Sequence, residues 1–149
     1  MTINTDDSLF GFYASFNMEE PQKDIVKQFL WAENGLKSQL NNLNQNTYGQ
    51  DFQLILFEFY VNPIPQEKQA LKEIGNYRSK EKSIGIPVII DQVNFFSLNQ
   101  EEKWVFLFST ILKKLELLKV KVNKNKLDLK IDRLIYDTSS MLKLKKGST

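Results

Sequence analysis

Apolar and polar positions alternate from Leu9 to Phe16, with Phe10, Phe12, Ala14 and Phe16 on one side and Tyr13 and Ser15 on the other. A period of two rich in aromatic residues predicts a half-buried strand. The period then changes. Ile25, Phe29, Ala32, Leu36, Leu40 and Leu43 recur at helical spacing, behind an Asn17–Glu20 capping pair and a Pro21 that suits a first helical turn. Gly35 weakens the middle of this helix without breaking it. The Asn-rich stretch from Asn41 to Gly49 ends it in a loop.

Phe52 to Val61 is apolar on both faces, the pattern of a central strand covered on both sides or of one whose outer face meets a partner. Pro63 and Pro65 stop it, because neither donates to a ladder. Residues 66–74 fit either a helical turn or the lead-in to a strand. Tyr77 to Ser83 reads as a polar hairpin turn between Ile74 and Ile84. Gly85 to Asp91 reads as the returning strand, with Pro87 marking an edge or a bulge. Asn99, followed by Glu101 and Glu102, caps a helix that buries Trp104, Phe108, Ile111, Leu112, Leu115 and Leu118. Asn123 to Lys126 breaks that helix, and a last one carries Leu127, Ile131, Leu134, Ile135 and Leu142.

The predicted order is therefore β-α-β-β-β-α-α. It lacks the sustained alternation of a doubly wound parallel sheet. The fold class is α+β, an antiparallel or mixed sheet of about four strands packed by three helices mainly on one face. A chain of 149 residues suits one domain spanning 1–149, with Lys145 to Thr149 as a short flexible tail.

Composition removes many function classes. The chain has no Cys, which excludes disulfides, thiolate ligands and thiol nucleophiles together. It also has no His, which excludes Ser-His-Asp and Cys-His catalysis and imidazole metal sites. An enzyme would have to rely on carboxylates or Lys, with Glu58 or Asp91 as the candidates. The six Gly are scattered and form no phosphate-binding loop, so no cofactor is expected. Asp128 and Asp132 lie one helical turn apart, but Lys126, Lys130 and Arg133 beside them favour surface ion pairs over a cation site. No apolar run reaches the ~20 residues of a membrane span. The polar, acidic start from Met1 to Asp7 lacks the apolar core of a signal peptide, and cytoplasmic residence is the expectation.

Charge is unevenly spread. Residues 1–75 carry −5 and residues 76–149 carry +7, which together give the net +2. Two readings stand: an oriented field for a charged partner, or halves that interleave and cancel. Nucleic-acid binding is disfavoured, because Arg occurs only at Arg78 and Arg133 and the C-terminal Lys are interrupted by apolar residues at helical spacing.

The Phe57-Glu58-Phe59-Tyr60 run reads as core before binding face. The aperiodic segment from Tyr60 to Arg78 is the better place for a partner. It holds Tyr60, Asn62, Tyr77 and Arg78, types enriched at protein interfaces, and these are the candidate partner-binding residues.

The run from Tyr77 to Ile90, the helix start Glu101-Glu102-Lys103 and the stretch from Lys126 to Asp132 resemble small bacterial immunity proteins of polymorphic toxin systems. The resemblance covers roughly residues 70–140, in element order and composition. It implies an α+β fold, one cognate protein toxin bound as a heterodimer, and no catalytic residues or cofactor. Many such proteins are acidic because their toxins are often basic nucleases, and the net +2 here departs from that. The alternatives are a subunit or scaffold of an assembly, self-associating through an edge strand, or a His-free enzyme.

Overall fold

A computed structural model of the chain describes residues 10–16, 27, 34, 35, 38 and 49–147. Four strands, β1 (Phe10–Phe16), β2 (Leu54–Val61), β3 (Tyr77–Arg78) and β4 (Ser83–Ile90), form one sheet in the order β1-β2-β4-β3. β1 and β4 flank β2 in parallel, while β3 runs antiparallel to β4. The sheet is mixed, and the α+β class predicted above is the observed one.

The continuous apolar run of β2 resolves into strict alternation. Ile55, Phe57, Phe59 and Val61 are buried, whereas Leu54, Leu56, Glu58 and Tyr60 are half-buried. The register puts Ile84, Ile86, Val88 and Ile90 of β4 beside the buried set. Phe12 stacks on both Phe57 and Phe59 at 5.6 Å and carries the same row onto β1. Leu107, Phe108, Ile111, Leu115 and Leu118 of the long helix over Gln100–Lys124 join this core, as do Leu134 and Leu142 of the helix over Asp132–Gly147. Each such side chain contributes about 1.5–3 kcal/mol by leaving water. The helices therefore hold one face of the sheet, and the other is left incompletely covered.

Between β1 and β2, Lys27, Asn34, Gly35 and Ser38 are helical, as the crossover between parallel strands requires. A Cβ on Gly35 would lie 2.7 Å from the Trp104 ring, which itself stacks on Phe108 at 5.6 Å. Gly35 thus lets the indole approach the helix backbone. The cap from Asn17 to Pro21, the apolar face of that helix, the loop from Asn41 to Tyr48, Met1 to Leu9 and the last two residues lie outside the described residues.

The remaining helices are α1 (Pro65–Ala70), α2 (Gln92–Phe96), α3 (Gln100–Lys124) and α4 (Asp132–Gly147). Asn99 and Glu102 form a complete capping box at the start of α3, as their spacing predicts. The end of α3 is a Schellman turn in which Lys126 takes φ 57 and the Leu127 amide donates to the Val122 carbonyl.

Three elements differ from the predicted order. Pro65 occupies the first turn of a helix, so α1 over residues 65–70 settles the open segment toward helix, and the third strand is Tyr77–Arg78, inside the predicted turn. Asp91, predicted as the last residue of the returning strand, instead caps α2, accepting from the Asn94 amide at 3.0 Å. Leu127 to Ile131 is not helical. The Asp128 amide donates to the Asp51 carboxylate, and the Gln50 amide donates to the Asp128 carboxylate at 2.9 Å, so this segment is clipped to the entry of β2. Gly49, at φ 114, fits against the Asp128 carbonyl where any Cβ would overlap it.

Candidate functional site

The incompletely covered face of the sheet follows from period two. Register pairs Tyr13 with Glu58, Leu56 with Gly85, Glu58 with Pro87 and Tyr60 with Ile89, all on the side away from α3. Pro87 is buried on this side, but Glu58 and Tyr60 are half-buried and Tyr13 and Ile89 are exposed. The Glu58 carboxylate lies over Gly85, where a Cβ would come within 2.8 Å of it.

Several large apolar side chains stay exposed on the strands and just past their ends. Of the eight large hydrophobic residues exposed among the described residues, four are Tyr13, Ile64, Ile89 and Val93. They lie on β1 and β4 or just past the carboxyl ends of β2 and β4. Single exposed apolar residues are ordinary, whereas contiguous exposed apolar patches mark contact surfaces. Partial burial and the Glu58 and Glu67 carboxylates, with a smaller effect from Tyr13, raise the Tyr60 pKa above the ordinary tyrosine value. The rim of the sheet thus pairs aromatic and aliphatic surface with two carboxylates.

The opposite end of the same face is a hollow of about 490 Å³, lined by Leu54, Leu56, Glu58, Arg78, Glu81 and Gly85 among others. Of the four residues predicted to bind a partner, Tyr60 and Arg78 fall on this face. They do not meet: Arg78 pairs with Ser83, which lies opposite Leu54, and Leu54 and Tyr60 are about 20 Å apart along β2.

Asn62 and Tyr77 have internal partners. Asn62, at φ 52, donates through its side-chain amide to Gln92 Oε1 at 3.0 Å and accepts from the Gln92 backbone at 2.9 Å. Its own amide donates to the Ile90 carbonyl, which latches the ends of β2 and β4 together. The Tyr77 hydroxyl donates to the Asp51 carbonyl, and its ring packs on Phe52 at 5.0 Å. Glu58 and Asp91, the two carboxylates considered for catalysis, are separated in role, since Asp91 serves as the α2 cap.

A family model described as Immunity protein 44 matches residues 8–143. The chain belongs to that family. The match runs from β1 through most of α4, well beyond the C-terminal half in which the resemblance is legible. No curated protein and no solved structure matches the chain.

The exposure of Tyr13, Ile64, Ile89 and Val93 was not legible along the sequence, because it depends on where strands end and which face the helices take. Tyr13 alone had a usable signal, an aromatic on the polar side of an alternating strand. Asp128 and Asp132, the pair weighed as a cation site, have separate partners, since Asp132 pairs with Lys119 at 2.6 Å. No group of three acidic residues able to hold a metal occurs among the described residues.

Proposed function

We infer that this chain is an immunity protein that binds one cognate protein toxin and blocks it, without catalysing a reaction. Membership of the Immunity protein 44 family carries the reading. The shape of the surface supports it, because the rim of Tyr13, Tyr60, Ile64, Ile89 and Val93 offers rigid aromatic and aliphatic anchors beside carboxylates. Such a rim suits a toxin surface that presents apolar residues with Lys or Arg among them. A fixed sheet supplies a pre-organised surface, so little ordering entropy opposes association.

Co-expression tests this. Cells producing its cognate toxin domain are expected to grow when the chain is supplied and to stop growing when it is not. Growth arrest in both cases would remove the inhibitor reading.

A further inference from the structure

A second surface lies at the β3 side of the sheet. Backbone groups alternate in direction along a strand. The Gly85 carbonyl accepts from the Gly75 amide on the β3 side, and the Ile90 carbonyl accepts from Asn62 on the β2 side. Pro87 and Ile89 therefore point their backbone groups toward β3. Yet β3 pairs only with Ser83 and Ile84. Among the described residues, the Pro87 carbonyl and both backbone groups of Ile89 have no strand partner.

This vacant half-edge opens into a cleft of about 500 Å³. Its other walls are the chain at Leu71–Glu73 and the face of α3 carrying Phe106, Thr110 and Lys113. The charge at the cleft is one-sided. Lys72, Lys113 and Lys114 line it with a single acid, Glu73, which is already bound by Lys114 at 3.1 Å. Lys72 reaches only the Asn76 side chain at 3.2 Å, and exposed Lys113 has no partner among the described residues.

We propose that this cleft takes an extended, acidic segment of the toxin, which pairs with the free edge at Ile89 and sets its carboxylates against Lys72 and Lys113. Strand addition gives backbone hydrogen bonds, and the flanking lysines select the segment by charge. The proline suits the arrangement. It removes one donor from the edge, so a strand from an unrelated chain finds a poor template there, and the charged walls decide which segment enters. The proposal rests on the inhibitor reading, and Ile89 borders both this cleft and the tyrosine-lined rim.

The test measures binding of the toxin domain by calorimetry with wild type and with a Lys72→Glu, Lys113→Glu double variant. Both lysines are exposed, so the variant is expected to fold, and its circular dichroism and melting curve confirm that. Binding weakened tenfold or more, with a flatter salt dependence than wild type, supports the cleft. Amide exchange adds a readout that a structural role would not move: the Ile89 amide is expected to exchange freely in the free chain and to be protected in the complex. Wild-type affinity in the double variant, or an Ile89 amide that stays unprotected, overturns the cleft and leaves the inhibitor reading intact. Absence of binding by wild type overturns both.

Discussion

Asn62 holds a left-handed backbone conformation and spends both ends of its side chain on Gln92. Replacing it by Ala removes two hydrogen bonds at about 1 kcal/mol each and adds a left-handed penalty of about 1 kcal/mol. Asn62→Ala is expected to lower stability in urea by roughly 2–3 kcal/mol, and Asn62→Gly by about 1 kcal/mol less than that. Equal losses in the two variants would show that the backbone conformation is not a cost. Tyr77 is a second residue whose chemistry is turned inward. Burial, and then the Asp51 carboxylate, raise its phenol above the ordinary value. A raised folded-state pKa stabilises the fold in full below the unfolded value of about 10, and that contribution is lost as pH climbs through the folded value. Tyr77→Phe is expected to cost about 1 kcal/mol at neutral pH through the bond to the Asp51 carbonyl, and to make the alkaline decline shallower. Denaturation from pH 7 to about 11 checks both parts, and an unchanged decline would assign it to other groups. Both residues show why residue type misleads at this scale. Tyr and Asn are enriched at interfaces, but here a carbonyl and a glutamine inside the chain satisfy them.

Elements were legible wherever local chemistry decides them. The Asn99–Glu102 spacing writes a capping box, and the aromatic alternation of β1 writes a half-buried strand; both are present. The hairpin between Ile74 and Ile84 is also present, but Tyr77 and Arg78, expected in its turn, form the strand β3, and the turn tightens to residues 79–82. What failed is what depends on distant residues. Leu127 and Ile131 have helical spacing with the residues after them, but the Asp51–Asp128 clip holds that segment out of the helix. Gly35 looked like a weak point in a helix and is instead the seat of the Trp104 ring. Gly35→Ala sets two effects against each other: helix propensity gains about 1 kcal/mol, while overpacking costs about 1–3 kcal/mol. The indole is rigid and stacked on Phe108, so the variant is expected to be less stable, with a shifted Trp emission. A more stable variant would mean that Trp104 moves freely. At the end of α3, Lys126→Gly is expected to add up to about 1 kcal/mol, since only the left-handed turn is affected.

At the scale of the molecule, the two oppositely charged halves meet rather than separate. Glu73 from the acidic half pairs with Lys114, and Lys121 donates to the Gly75 carbonyl at 2.7 Å. The unevenness survives locally, as carboxylates around Tyr60 and lysines lining the cleft beside β4. The sequence pattern left open whether β2 is covered on both faces, and Leu54, Leu56, Glu58 and Tyr60 on its outer face are only half-buried. Which apolar residues stay exposed past the strands was not legible, because the exposure of Ile64 and Val93 depends on where β2 and β4 end and the short helices begin. The most direct test of the account is calorimetry of the purified chain with its cognate toxin domain, for wild type, Tyr60→Ala and Tyr13→Ala. The account predicts nanomolar binding, about −12 kcal/mol, and a loss of about 2 kcal/mol or more in at least one tyrosine variant that melts like wild type. Tight binding that neither tyrosine affects would place the toxin on another face, and no binding would contradict the account as a whole.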